Sequence, residues 1–109
     1  MTDKADKLGA VIDHARAERE YLRWIILLAL WHARPYGATE GVILGACRDI
    51  QLRVTLDELR REMASLAKRG LVDMDDRSPV WSATLTAAGE DVVDYRADAP
   101  AGIARPPRW

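Results

Sequence analysis

The stretch TLDELRREMASLAKRGLVDMDDRSPVWSATLTAAG, residues 55–89, decides the fold. Thr55 and Glu58 have the spacing of a helix-capping box. Apolar residues then recur at helical spacing and predict a buried stripe: Leu56, Leu59, Met63 and Leu66. Gly70 predicts the end of this helix. Beyond it the apolar period becomes alternating on both sides of the polar break Asp75–Pro79, which predicts two strands around a loop.

The flanking segments add helices on both sides of this stretch. Residues 1–34 have helical spacing and predict either two helices or one long helix whose middle, Arg16–Glu20, is solvated. Thr39 begins a second helix of about three turns, and Thr86 caps a last helix from Ala87 to about Arg96. The order of three helices, a hairpin and a helix predicts a mainly α protein with a small two-stranded β wing, a winged helix-turn-helix.

Composition limits the number of domains and the function class. With 109 residues, 49% hydrophobic and 30% charged, we expect one winged helix-turn-helix domain over residues 1–96. Residues 97–109 form a Pro/Arg-containing C-terminal tail, whose composition is typical of a tail and not of a packed element. The net charge of −1 does not mark a nucleic-acid binder, so any DNA contact must be local. The longest apolar run, Trp24–Trp31, is too short to cross a membrane.

Two segments carry a resemblance to known regulators. Leu66–Val72, followed by Leu85–Gly89, resembles the end of a recognition helix and the entry to the closing helix in winged-helix regulators such as the ArsR and MarR groups. This likeness covers residues 39–95. The chain is also similar to small ArsR-like proteins of Mu-like phages and prophages in its triplet His14-Ala15-Arg16 and in tail residues including Arg96, Ala97, Pro100, Gly102, Ile103, Arg105 and Pro106. The resemblance implies a winged-helix fold and a phage origin. Because a single cysteine fits a reducing compartment, we expect the protein in the host cytoplasm.

In a winged helix the third helix enters the major groove, so we expect a phage-type transcriptional regulator that binds duplex DNA. The candidate DNA-binding residues are Arg53, Thr55, Arg60, Arg61, Ser65, Lys68, Arg69, Arg77, Arg105 and Arg108. Thr55, Arg61 and Ser65 are the expected base contacts, and the last two arginines could form a minor-groove arm.

The charge of this region favours an alternative as well. Residues 53–77 hold six basic and six acidic side chains, and Glu62 is among the acids that we expect on the outward face of the third helix. The counterion-release contribution to DNA binding is therefore small. The alternative is a phage accessory protein that binds a host or phage protein. A regulator should gather Arg53, Arg60, Arg61, Arg77 and the tail into one positive stripe, whereas a protein-binding module should expose an apolar patch ringed by acids.

An aromatic stripe on the first helix predicts a homodimer. Within an arc of about 80° lie Tyr21, Trp24, Leu28 and Trp31. Trp and Tyr are enriched in interface cores, which favours a dimer seam. The alternative is that the closing helix and the tail cover these side chains within one chain.

No residue set predicts a metal, a cofactor or catalysis. The soft metal ligands are His14, His32 and the single cysteine, Cys47, which lies on an apolar helix face and is more typical of a core residue. One cysteine also excludes an internal disulfide and fits a reducing compartment. We find no catalytic motif and therefore expect no enzyme.

Overall fold

The computed structural model describes residues 3–108, with side chains from residue 8 onward. Helix α1, Asp3–His32, is one continuous helix, so the two-helix alternative is wrong. Its middle is solvated as expected, because Arg16–Arg19 are all exposed. The second half of α1 supplies core side chains, among them Leu22, Ile26, Leu27 and Leu30. It packs against the other three helices and one strand, which makes α1 the central element of the fold.

Two short helices follow, each begun by a threonine. Helix α2, Glu40–Asp49, is capped by the Thr39 hydroxyl, which accepts from the Val42 amide. Helix α3, Leu56–Lys68, begins with the complete capping box of Thr55 and Glu58. After α3 the chain reverses at Gly70, whose φ of +76° favours glycine. The start and end of the third helix are therefore confirmed.

The sheet has one strand more than the two that the sequence predicts. Strands β2, Val72–Asp75, and β3, Ser82–Leu85, form the expected antiparallel hairpin, with Val72 opposite Leu85. The added strand β1, Ala38–Thr39, pairs antiparallel with β3, and the order is β1-β3-β2. Two residues are too few to show an alternating period, so the pattern could not reveal this strand.

Helix α4, Ala87–Val93, closes the domain and is capped by the Thr86 hydroxyl as predicted. It ends three residues before Arg96, because Tyr95 leaves the helix with a φ of +61°. Gly89 lies where α4 meets the hairpin. A Cβ at this position would lie 2.2 Å from the Leu71 carbonyl oxygen, so any other residue would push α4 away from the sheet.

The buried face of α3 differs from the predicted stripe at two positions. Leu59, Met63 and Leu66 are fully buried, but Leu56 is 39% exposed in the first turn, where the helix leaves the core. Glu62, expected on the outward face, is buried instead. It lies about 70° around the helix from the centre of the stripe, on the side that faces α1. Arg23 of α1 donates to it over 2.7 Å, so the buried carboxylate is compensated.

The expectation of an unpacked tail is wrong for residues 99–106, which we call the C-terminal strap. Ile103 is part of the core, and the Ala104 amide donates to the Glu20 carbonyl of α1. Arg23 donates to the Gly102 carbonyl and Arg69 to the Ala101 carbonyl. These bonds hold a Pro- and Gly-containing segment on the domain although it forms no helix or strand.

The described residues thus form a compact mixed domain, mainly helical, with four helices and a small three-stranded antiparallel sheet. Its longest dimension is 54 Å, along which α1 alone extends about 45 Å at 1.5 Å per residue. Within residues 3–108, no helix combines the length and the hydrophobicity needed to cross a membrane.

Candidate functional site

The turn between α2 and α3 borders a shallow groove of about 640 Å³. Gln51 takes a left-handed backbone conformation, φ +60°, which brings the chain from α2 into α3. The groove is lined by Arg48, Gln51, Leu52, Arg53, Val54, Thr55 and Glu58. Leu52 is buried beneath it, so the turn is anchored while Arg48 and Arg53 stay exposed.

A smaller depression of about 160 Å³ adjoins this groove where α1 passes the turn. Its lining consists of Ala15, Glu18, Arg19, Leu22, Leu52, Arg53, Val54, Glu58 and Arg61. Three exposed arginines from α1, the turn and α3 therefore share one depression. The structure brings together Arg53, Thr55 and Arg61 from the predicted set, and it adds Arg19 and Arg48, which the sequence analysis missed.

Arg19 and Arg48 lie before residues 55–89, the stretch that decides the fold. Arg19 lies on the same side of α1 as Leu22 and Ile26, at 100° per residue. A wheel of the whole helix could therefore have placed Arg19 beside the core, facing whatever packs on this side of α1.

Thr55 is exposed but its hydroxyl already has partners. Its oxygen accepts from the Glu58 amide over 3.1 Å, and the hydroxyl donates to the Glu58 carboxylate over 2.9 Å. The Thr55 amide also donates to that carboxylate, over 3.2 Å. This box fixes the first turn of α3 and leaves the Glu58 carboxylate engaged with its own helix.

Arg60 is bound inside the domain, on the opposite side of α3 from the depression. It forms a two-bond pair with Glu40 at the start of α2, with 2.8 Å between Nη2 and Oε2. It also donates to the Pro79 carbonyl and lies 4.7 Å from the centre of the Trp81 ring. Trp81, directly before β3, is half-buried.

The Glu40 carboxylate is the buried centre of this network. Its pKa lies below the ordinary value of a glutamate, first because Arg60 donates to it and also because the Trp81 amide does. Burial opposes the shift. The pair ties α2, α3 and the hairpin together, so its role in the described structure is to hold these elements.

The remaining predicted arginines are also paired or lie elsewhere. Arg77, in the β2–β3 loop, donates twice to Asp75 and by these bonds lowers the pKa of Asp75 to about 2. Arg105 donates to the Val92 and Ala97 carbonyls and lies over the Tyr95 ring. Arg108 lies 5.7 Å from the same ring.

Lys68, Arg69 and Ser65 belong to the far end of α3. Lys68 is exposed there and Ser65 is half-buried. Twelve residues separate Lys68 from Leu56, or about 18 Å along the helix, so this end is distant from Thr55. The predicted DNA-binding residues therefore do not form a single stripe.

The aromatic stripe of α1 is largely covered by the chain itself. Trp24 is only 6% exposed. Trp31 is half-buried and donates its indole N–H to Asp94, just past α4, over 2.9 Å. Tyr21 remains 40% exposed and Leu28 is half-buried. Cover by the closing segment, the alternative to a dimer seam, thus accounts for Trp31, and Trp24 is buried in the core of the same chain.

A second apolar stripe on α1 has no cover in the described chain. Leu8, Val11 and Ile12 are 61%, 65% and 56% exposed, and they recur at the spacing of one helix face. They lie in the half of α1 that precedes the packed residues. This is an exposed apolar surface, with Asp13 and Glu18 close to it in the sequence.

Cys47 is fully buried in the core, and burial raises the pKa of its thiol above the usual range. In the part of the chain that the structure describes, no group of three or more His, Cys, Asp or Glu side chains is arranged to hold a metal ion.

Comparisons of the chain with protein-family models, with curated proteins and with solved structures found no match.

Proposed function

We propose that this domain is a winged helix-turn-helix that binds duplex DNA as a regulator, through the start of α3 and the turn before it. The element order α1-β1-α2-α3-β2-β3-α4 supports the proposal, because it places a hairpin directly after a helix-turn-helix unit. The sheet order β1-β3-β2 supports it too, since β1 ties the hairpin to the start of α2.

One observation carries the DNA-binding role. Arg53 and Arg61 are exposed beside the first turn of α3, and among the described residues neither has a carboxylate within 4 Å. Guanidinium groups of this kind are available to phosphate oxygens. Arg60 and Arg77 are paired with carboxylates, so the proposed contacts shift from the hairpin to the turn.

The hairpin carries more acid than base, which also moves the proposed contact away from it. Asp73, Asp75 and Asp76 oppose a single basic residue, Arg77, whose charge is matched by Asp75. We therefore expect few phosphate contacts in each chain and a binding affinity that depends only moderately on salt.

Fluorescence anisotropy with a labelled duplex of mixed sequence tests this function. Arg53→Ala with Arg61→Ala should weaken binding at least tenfold at about 50 mM salt, because two phosphate contacts are lost. The control is Arg96→Ala, which removes one positive charge from a residue paired with Asp91 and is compared with each single variant as well as with the double one. It should bind within about twofold of the unchanged protein, and equal losses in both variants would contradict a local contact.

A second candidate function is binding of a protein, favoured by the exposed stripe of Leu8, Val11 and Ile12. Exposed apolar patches of this kind mark interaction surfaces. If the unchanged protein fails to bind duplex DNA at micromolar concentration and low salt, the DNA-binding function is wrong and this second candidate takes its place. A host or phage protein is then the partner to seek.

A further inference from the structure

The depression between α1 and the α2–α3 turn has a lining that is rich in guanidinium groups. Arg19, Arg53 and Arg61 come from three different elements and line the same volume of about 160 Å³. Its apolar lining, Leu22, Leu52 and Val54, belongs to the packed part of the domain. The backbone that carries the three arginines is therefore held in place, although their side chains are exposed.

The two acids in this lining have other partners. Glu58 accepts from the Thr55 amide and hydroxyl in the capping box. Glu18 lies 3.3 Å from His14, one turn earlier on α1. Within the described part of the chain, none of the three arginines forms an ion pair. This contrasts with Arg23, Arg60, Arg77 and Arg96, each of which lies against a carboxylate.

The three guanidinium groups outnumber the carboxylates of Glu18 and Glu58 in this lining, so its net charge is positive and favours an anion. A phosphate group fits this arrangement, because guanidinium groups donate in pairs to its oxygens. A phosphate here would also lie beside the first turn of α3, where the helix dipole favours negative charge.

We propose that Arg19 is a third phosphate contact, so that one strand of the DNA backbone crosses the junction of α1 with the α2–α3 turn. This inference rests on the proposed DNA-binding function and deepens it. It assigns α1 a direct part in binding, and it gives three phosphate contacts per chain in place of two.

The salt dependence of DNA binding measures the number of phosphate contacts. Three contacts per chain correspond to a slope of log affinity against log salt of about −2.7, or a loss of roughly 40-fold between about 50 and 200 mM. Arg19→Ala should weaken binding about tenfold at 50 mM and make the slope shallower by about 0.9 for each bound chain. Arg19→Lys should keep most of the slope because it keeps the charge.

The matched control is Arg16→Ala, one turn earlier on the same helix. Arg16 is exposed, lies 3.4 Å from Asp13, and is outside the lining of the depression. This variant has the same net charge as Arg19→Ala but should leave the affinity within about twofold and the slope unchanged. Circular dichroism of both variants shows whether α1 is retained.

The outcomes separate the inference from the function on which it rests. If the unchanged protein binds DNA and Arg19→Ala behaves like Arg16→Ala, the third contact is wrong and the function stands. If the slope is the same in Arg19→Ala as in the unchanged protein but is shallower in Arg53→Ala, the DNA backbone passes the turn without contacting α1. If the unchanged protein does not bind, the function and the inference are both overturned.

Discussion

At the scale of single residues, arginine is the residue whose surroundings decide its role in this chain. Arg60 and Arg23 are bound to buried carboxylates, Glu40 and Glu62, and hold elements together. Arg53 and Arg61 lie on the surface without such partners. The sequence presents all of these as exposed positive charge, because the partner of Arg60 is 20 residues away and that of Arg23 is 39 residues away. Pairing over such distances leaves no periodic signal.

The Glu40–Arg60 pair makes folding stability depend on pH. Since the pKa of Glu40 is lowered in the folded state, its contribution is fully present above the ordinary value of 4.5 and is lost as the pH falls through the lowered pKa. Glu40→Gln should therefore cost about 2 kcal/mol at neutral pH, and this difference should shrink as the pH falls below 4.5. Urea unfolding of both proteins between about pH 7 and 2 measures it.

Asp91→Asn is the control for this prediction. It removes a surface ion pair with Arg96 and should change the free energy of unfolding by less than about 1 kcal/mol at every pH. A difference between Glu40→Gln and the unchanged protein that stays constant down to the lowest pH would show that ionisation of Glu40 does not stabilise the fold.

At the scale of elements, the predictable parts were those with a local signal. The capping box at Thr55 and the caps at Thr39 and Thr86 begin three helices as the sequence indicates. The β2–β3 hairpin follows from alternation around a polar break. The C-terminal strap could not be predicted in this way, because its order comes from bonds to α1, α3 and α4 that are made far along the chain.

The strap should contribute measurably to stability through one side chain. Ile103→Ala removes a buried aliphatic group from the core and should lower the free energy of unfolding by about 2–3 kcal/mol. Arg108→Ala, at an exposed position just beyond the strap, should change it by less than about 0.5 kcal/mol. Urea denaturation monitored by tryptophan fluorescence compares them. Equal stability of the two variants would mean that the strap is not packed in solution.

At the scale of the whole molecule, the long axis is set by α1, of which only the second half is covered by the domain. The sequence predicted self-association of this helix through aromatic residues, but Trp24 and Trp31 contact the rest of the same chain. The residues available for a dimer are those that stay exposed, Leu8, Val11 and Ile12 together with Tyr21. We therefore propose that a homodimer would use the first half of α1.

Light scattering tests this proposal. Leu8→Ser with Ile12→Ser removes two exposed apolar side chains and should convert a dimer into a monomer, with little loss of folding stability because neither side chain is in the core. Val42→Ser, another exposed apolar position, is the matched control and should leave the mass unchanged. A dimer that persists in the double variant would place the interface elsewhere.

The reactivity of the single cysteine can be used to measure how often this domain opens. Cys47 is enclosed by the core, and its raised thiol pKa means that little of the reactive thiolate is present at neutral pH. A disulfide reagent can therefore modify it only after α2 separates from the core, so the labelling rate follows the frequency of that separation. Ligand-induced slowing of the reaction would report binding of DNA or a partner protein without any fluorophore, tag or introduced residue.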